Sequence, residues 1–151
     1  MVGKKKKKKI IVAVSGYFNP VHIGHKRLFE EAKKLGTKLI VIVNNDKQVE
    51  SKGSFPFMKE KERLEIISSF KPVDKVVLAV DKDRSVCKTL ERIKPDIFAN
   101  GGDRSKNNIP EVAICNKIGC KMVFNIGRGG KVQSSSWLIK RFLEKTNNNE
   151  N

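Results

Sequence analysis

The chain has 151 residues, of which 32 are Lys or Arg and 16 are Asp or Glu, so its formal net charge is +16. That length fits one domain of ordinary size. Hydrophobic residues make up 38% and occur in periodic blocks, which excludes a wholly disordered chain. No apolar stretch approaches the roughly 20 residues of a membrane-spanning helix. A lysine run at residues 4–9 stands in place of a secretory leader, so we expect a cytoplasmic protein without a membrane partner.

The cysteines give the same indication about the compartment. Cys87, Cys115 and Cys120 are odd in number and lack CxxC spacing. This pattern argues against a disulfide framework and against a zinc cluster, and it fits a reducing cytoplasm. We therefore predict no metal-ligating residues.

The basic charge has three interpretations. The lysine run contributes six charges, so the rest of the chain still carries +10. A positive field attracts nucleic acid or small anionic substrates such as nucleotides, and a solvated basic surface would show the same composition. Modules that read nucleic-acid sequence rely on Arg for bidentate base contacts, whereas this chain has 25 Lys and 7 Arg. Nucleic acid is therefore disfavoured as a partner, and a basic nucleic-acid-associated module is kept as the alternative.

Apolar periodicity predicts the elements of the first half of the chain. Residues 10–14 form a β-branched run typical of a buried strand, and the Gly, Asn and Pro of residues 16–21 predict a loop. A helix follows over 22–35, ended by Gly36. The next elements are a strand at 39–43, a polar stretch with room for one helical turn at 44–57, and an amphipathic helix at 58–70.

The second half repeats the alternation of strand and helix. A strand at 75–80 leads to a short helix at 85–93, which Ser85 would cap. Pro110 suits the first position of a helix at 110–118. The other elements are strands at 96–99 and 121–126, a polar loop at 100–109 and a last helix at 134–144.

Five strands that alternate with helices predict an α/β fold. The strands are continuous apolar runs, which is typical of a parallel sheet covered on both faces. We expect a single three-layer Rossmann-like domain over residues 10–145, with a five-stranded parallel sheet and right-handed crossovers. A flexible basic arm at 1–9 and a flexible tail at 146–151 would flank it.

The loops at the carboxyl edge of this sheet are the expected place for a ligand, because ligands bind there where strand order reverses. Three of these loops are conspicuous for Gly and polar residues. They are residues 16–25, 100–104 and 127–136. All three would converge on one mouth of the sheet.

The loop after the first strand holds both histidines of the chain, His22 and His25. Their i, i+3 spacing places them on one helix face, in a first turn whose N–H groups favour an anion. Gly24 between them has no side chain to keep a phosphate away. The alternatives are plain surface residues or a metal pair, but a metal site would want further ligands and no third His exists. We predict that the two imidazoles donate hydrogen bonds to a polyphosphate.

Two other phosphate-binding motifs are missing from the sequence. No GxGxxG follows the first strand, which disfavours a dinucleotide-binding Rossmann site. No GxxxxGK[ST] occurs, because Gly130-Lys131 is followed by Val132.

The stretch from Gly16 to His25 resembles the HxGH signature of the nucleotidyltransferase superfamily, whose fold is called cytidylyltransferase-like. The resemblance extends over about residues 10–142. The segments that recur in family order are Asn44-Asn45-Asp46, Lys52-Gly53, Glu62-Arg63, Asn100-Gly101-Gly102-Asp103 and Ser134-Ser135-Ser136-Trp137-Leu138-Ile139. The Gly-Gly-Asp segment is similar to that of heptose-phosphate adenylyltransferases, and the single domain is similar to glycerol-3-phosphate cytidylyltransferases.

The resemblance implies an enzyme that transfers CMP or AMP from CTP or ATP to a sugar or polyol phosphate and releases pyrophosphate. Because the acceptor phosphate is already anionic, catalysis would consist of positioning and charge stabilisation. Mg²⁺ would bridge the nucleotide phosphates and needs few protein ligands. By analogy, a homodimer is expected.

The resemblance also implies roles for individual residues. His22 and His25 would bind the triphosphate, and Lys52 and Arg63 would neutralise phosphates of donor or acceptor. For these two cations the alternatives are a solvated loop lysine and a surface ion pair. The implied nucleotide-binding residues are Gly16, Tyr17, Phe18, Asn19, Gly24, Gly102, Asp103, Arg128, Ser134, Ser135 and Ser136.

Three positions depart from the family pattern. Family members often have Thr and Asp where this chain has Tyr17 and Asn19, and Asn keeps a polar contact without the charge. The loop before Ser134 is longer than in the relatives, so Arg128 is a candidate phosphate contact only. The change at Tyr17 leaves a further alternative open, in which the protein is a family member that binds nucleotide without turnover.

Overall fold

The computed structural model describes residues 8–102, 109–126 and 134–148, and five strands and six helices alternate within these ranges. The strands are β1 (Ile11–Gly16), β2 (Lys38–Val43), β3 (Lys75–Leu78), β4 (Ile97–Gly101) and β5 (Lys121–Ile126). The helices are α1 (Ile23–Lys33), α2 (Asp46–Ser51), α3 (Glu60–Ser68), α4 (Cys87–Ile93), α5 (Val112–Ile118) and α6 (Ser135–Asn148). Most of the predicted basic arm lies outside the described residues.

The sheet is parallel throughout, with its strands in the order β3-β2-β1-β4-β5. The chain builds outward from β1 through β2 to β3 and then crosses back to place β4 on the other side of β1. Strand order therefore reverses between β1 and β4, and their carboxyl ends flank the crevice where such sheets bind ligands. The predicted five-stranded parallel sheet is confirmed.

Helices cover both faces of the sheet. Phe29 of α1 and Ile67 of α3 are fully buried in a core on one face, and Leu90 of α4 and Cys115 of α5 are fully buried in a core on the other. Ala13 of β1 faces the second core while its two strand neighbours face the first, as the alternation of strand side chains requires. The predicted three-layer α/β architecture is confirmed.

The helix α2 is longer than the single turn that the sequence predicted. Its N-cap Asn45 accepts the N–H of Gln48, and the Gln48 side chain accepts the N–H of Asn45, each at 2.9 Å. This reciprocal capping box has an Asn-x-x-Gln spacing that the sequence displays. Gln48 is fully buried, and its Nε2 donates to the carbonyl oxygens of Asp83 (2.6 Å) and Ser85 (2.9 Å). The capped helix therefore holds the loop between β3 and α4.

The predicted cap of α4 is wrong. The helix begins at Cys87, with Val86 at the N-cap and no side-chain cap there. The buried carboxylate of Asp81 accepts the backbone N–H groups of Lys88 and Thr89 instead. A carboxylate six residues upstream therefore satisfies the first turn, because the loop folds back over it.

Two other helix ends also differ from the predictions. Pro110 lies in the turn before α5, which begins at Val112. The helix α6 continues to Asn148, past its predicted end at 144 and into the predicted flexible tail. Within the described ranges, none of the helices combines the length and apolar character needed to cross a bilayer.

Candidate functional site

The turn after β1 is built on a glycine and a buried phenylalanine. Phe18 has a left-handed backbone, with φ of 53°, and its ring lies against Gly16. A Cβ on Gly16 would lie only 2.8 Å from Phe18 Cζ, so this turn requires glycine at that position. The same ring packs on Phe29 of α1, with ring centres 5.6 Å apart. Because the Phe18 side chain belongs to the core, a nucleotide would meet this turn through its backbone.

The two histidines stack at the start of α1. His22 is the N-cap, His25 is the third helical residue, and their ring centres are 3.8 Å apart with 27° between the ring planes. Gly24 N–H donates to His22 Nδ1, and His22 N–H donates to His25 Nδ1, both at 3.1 Å. The rings therefore share one face of the helix, as their spacing predicts, and the backbone fixes their orientation.

These backbone hydrogen bonds define where the protons lie on the two rings. An Nδ1 that accepts an N–H carries no proton, so a neutral imidazole carries its proton on Nε2. Burial, and then the charge of neighbouring His22, lowers the pKa of His25 to about 3, so this ring is neutral at physiological pH. The pair is suited to donate hydrogen bonds to a phosphate in a fixed geometry.

Arg63 of α3 is fully buried next to this turn, with 0% of its surface exposed. Its guanidinium donates to the carbonyl oxygens of Tyr17 (2.8 Å), Asn44 (2.6 Å) and Met58 (3.0 Å) and to Asp46 Oδ1 (2.7 Å). These partners come from the β1 turn, the end of β2, the segment before α3, and α2. One side chain therefore joins four segments around the site.

This position gives Arg63 a different role from the predicted phosphate contact. The side chain has no exposed surface, and protein acceptors already take its hydrogen bonds. The alternative of a surface ion pair is also wrong, because Arg63 is fully buried in its ion pair with the partly buried Asp46. Arg63 positions the turn that leads to the histidines.

Two side chains predicted to bind nucleotide hold the surrounding loops together. Asn19 is buried, its Nδ2 donates to the carbonyl oxygen of Phe55 (2.7 Å), and its Oδ1 accepts the N–H of Phe57 (2.9 Å). A carboxylate could not donate to Phe55, which explains an amide at this position. Ser135 Oγ donates to the carbonyl oxygen of Pro20 (2.9 Å) and so holds the start of α6 against the same turn.

The remaining residues predicted to contact nucleotide are either capping or exposed, or they lie outside the described residues. Ser134 is buried and its Oγ accepts the N–H of Trp137 (3.0 Å), which is the capping role that serines often take. Ser136 is exposed on α6, and Gly102 is exposed after β4. Two predicted residues, Asp103 and Arg128, lie outside the described residues and stay predictions.

A cleft of about 500 Å³ opens beside the histidine loop. Its lining residues are Tyr17, Asp83, Arg84, Ser85, Ile109, Pro110 and Glu111. Lys52, at the end of α2, places Nζ 4.3 Å from the centre of the Tyr17 ring, a cation–π contact. Arg84 Nη2 donates to the carbonyl oxygen of Ser51 (2.7 Å). Two cations are therefore close to this cleft.

Arg84 and Glu111 are site residues that sequence reasoning missed. The available signal for Arg84 was its place in the loop after β3, at the same edge of the sheet as the histidine loop. For Glu111 the signal was weaker, because the turn before α5 was expected to be the helix itself. Neither position has a motif around it.

Comparison with known proteins extends over most of the chain. A family model described as cytidylyltransferase-like matches residues 13–127. The FAD synthase of Thermoplasma volcanium is 34% identical over 137 residues, covering 89% of this chain and 95% of that protein. The FAD synthase of Ferroglobus placidus is 43% identical over 93 residues, covering 62% of this chain and 59% of that protein.

A solved structure gives a related match. It is described as a lipopolysaccharide core biosynthesis protein from Thermoplasma volcanium, and it is 33% identical with a TM-score of 0.68. The match covers 80% of this chain and 98% of that chain. The superfamily inferred from the HxGH stretch is confirmed, whereas the two sequence relatives are named neither heptose-phosphate nor glycerol-3-phosphate enzymes.

Arg63→Met should destabilise the protein by about 3–5 kcal/mol, because it leaves the Asp46 carboxylate and three carbonyl oxygens without their donor. Urea unfolding measures this loss. Arg92→Met, on the exposed surface of α4, is the matched control and should stay within about 0.5 kcal/mol of the unmodified protein. A loss below about 1 kcal/mol at Arg63 would contradict its role as the buried anchor.

Acid should destabilise the protein through His25. An unfolded histidine has a pKa near 6.5, and the folded pKa is about 3. Between these values the unfolded state binds more protons, so the free energy of unfolding falls as the pH is lowered. From about pH 7 to pH 5 we expect His25 to contribute a loss on the order of 1–2 kcal/mol, measured by urea denaturation. His25→Gln should reduce this pH dependence, and an unchanged slope would contradict a buried neutral ring.

Proposed function

The chain belongs to the cytidylyltransferase-like family of nucleotidyltransferases, and we propose that it transfers AMP from ATP to FMN, forming FAD and pyrophosphate. The stacked imidazoles of His22 and His25 at the start of α1, held by backbone hydrogen bonds to their Nδ1 atoms, are the observation that carries nucleotidyl transfer. The choice of FMN is supported by relatives named FAD synthase, one of them similar over 89% of this chain.

A sugar or polyol phosphate, the acceptor expected from the sequence, is the second candidate. It is favoured by the solved structure described as a lipopolysaccharide core biosynthesis protein. The relatives named FAD synthase favour FMN instead.

In the proposed reaction a phosphate oxygen of FMN attacks the α-phosphorus of ATP. The new bond joins this oxygen to the α-phosphorus, and the bond between the α-phosphorus and the oxygen leading to the β-phosphorus breaks. Pyrophosphate leaves with that electron pair. No general base is needed, because the attacking oxygen is already anionic at neutral pH. The enzyme has to bring two polyanions together and stabilise the leaving charge.

The residues around the turn have complementary roles in this proposal. The Nε2–H groups of His22 and His25 donate to the phosphates of ATP, where charge develops on the leaving oxygen. Lys52 and Arg84, near the cleft, neutralise the phosphate of FMN. Arg63 positions the turn and does not touch substrate. Contacts from Gly102, Asp103, Arg128 and the serines to the nucleotide remain predictions.

Mg²⁺ is proposed as the companion of ATP. Among the described residues, no three His, Cys, Asp or Glu side chains lie together as a metal site. A Mg²⁺ ion carried mainly by the nucleotide phosphates and water does not require one. In this proposal the phosphates of ATP therefore carry the ion into the site. A homodimer and a cytoplasmic location also remain predictions.

Purified protein with ATP, Mg²⁺ and FMN should form FAD, detected by chromatography, together with equimolar pyrophosphate. ATP and CTP should each be tested with FMN, a heptose phosphate and glycerol 3-phosphate. We expect ATP with FMN to be the best pair by at least about tenfold in kcat/KM. Faster pyrophosphate release with a sugar or polyol phosphate would reject FMN in favour of the second candidate, and no release with any pair would favour the non-catalytic alternative.

His22→Ala and His25→Ala should each lower kcat about 10²–10³-fold, because each removes a preorganised donor to the developing charge. Lys34→Ala, on the exposed surface at the other end of α1, is the control and should retain full activity. Circular dichroism would verify that each variant is folded. Activity that survives both histidine substitutions but needs the lysines at 4–9 would support the nucleic-acid-associated alternative instead.

A further inference from the structure

The cleft beside Tyr17 is formed by three loops at the carboxyl edge of the sheet. Tyr17 follows β1, residues 83–85 lie between β3 and α4, and residues 109–111 precede α5. The middle loop is held from behind by the buried amide of Gln48. Gln48 of α2 therefore fixes one wall of the cleft, the loop at residues 83–85.

The lining of the cleft is partly flat and apolar. The Tyr17 ring, the Pro110 ring and the nearly buried Ile109 all contribute to it. Aromatic and ring faces of this kind bury planar ligands well, because they offer large contact area at low conformational cost. Asp83, Arg84 and Ser85 form the polar part of the same lining.

Glu111 is a further polar residue of this lining, and it is buried. Only 3% of the residue is exposed, and its Oε1 accepts the N–H of Val86 at 3.1 Å. Its Oε2 is buried and has no hydrogen-bond partner among the residues that the structure describes. A buried carboxylate oxygen without a hydrogen-bond donor lowers the stability of the fold. A ligand N–H or O–H group that donates to Oε2 would remove this cost.

We propose that Glu111 recognises the edge of the flavin ring of FMN, with Oε2 accepting the ring's N3–H. The oxidised isoalloxazine has only one N–H donor, at N3, and this donor lies at the end of a flat ring system. Such a ligand matches a lining whose Tyr17, Ile109 and Pro110 offer apolar surface and whose Glu111 Oε2 is a buried acceptor without a donor. The inference rests on the proposed function and adds to it the residue that selects the acceptor.

The conservative variant Glu111→Gln separates recognition from folding. Its Oε1 can still accept the N–H of Val86, while the group at Oε2 becomes an amide that donates instead of accepting. This reverses the polarity toward N3–H with almost no change in volume. Glu91→Gln on α4, where the side chain is 51% exposed, is the matched control.

The experiment measures FAD formation by the full chain with FMN and with FMN methylated at N3. We expect Glu111→Gln to raise KM for FMN by at least about tenfold while KM for ATP stays within about twofold. The unmodified protein should discriminate against N3-methyl-FMN by at least about tenfold, and Glu111→Gln should lose this discrimination. Glu91→Gln should behave as the unmodified protein.

The two proposals fail in different ways. If the unmodified protein makes FAD but Glu111→Gln has an unchanged KM for FMN, the role of Glu111 is overturned and FAD synthesis stands. Equal use of FMN and N3-methyl-FMN by the unmodified protein overturns it as well, whether or not the variant folds. If the unmodified protein makes no FAD, both proposals are overturned.

Discussion

The buried guanidinium of Arg63 is the interaction on which the geometry of the site depends. It holds the carbonyl oxygens of Tyr17 and Asn44, which lie where two neighbouring strands end, and it pairs with Asp46 of α2. Without it the carbonyl oxygen of buried Asn44 would lose its donor, as would the partly buried Tyr17 carbonyl and Asp46 carboxylate, which is more costly than never having formed the contacts. The planar guanidinium presents five N–H donors in a rigid arrangement, whereas a lysine ammonium has three donors on a flexible stem. The turn that carries the histidines is therefore fixed before any ligand binds.

The site separates long-range attraction from direct contact. The chain carries a net charge of +16, so its field attracts anionic substrates. At the contact itself, burial keeps His25 neutral, and its orientation is set by the backbone N–H that its Nδ1 accepts. In the proposed reaction, the neutral ring of His25 would hold phosphate without adding another buried charge, whereas Lys52 would supply a full charge from an exposed position. The preorganised ring and the exposed cation thus have different tasks in that proposal.

The sequence predicted what depends on periodicity and local spacing. Continuous apolar runs identified the five strands, and the i, i+3 spacing identified the shared face of His22 and His25. It could not predict which way a side chain points when several segments fold together. Arg63 was expected at the phosphates and is buried, and Asn19 was expected at the nucleotide and holds a loop. Both outcomes depend on backbone carbonyl and N–H groups from distant segments, which no local pattern encodes.

Tyr17 connects the parts of the site. Its carbonyl oxygen accepts from Arg63, its ring contacts Lys52, and the same residue lines the cleft. It is also a position where the chain departs from the family pattern. Because both histidines and their backbone hydrogen bonds are intact, the departure at Tyr17 alters the lining of the cleft and leaves the geometry of the histidine pair unchanged. Under the proposed function, an aromatic ring at this position offers a flat surface to the flavin, so acceptor choice would explain the departure without loss of catalysis.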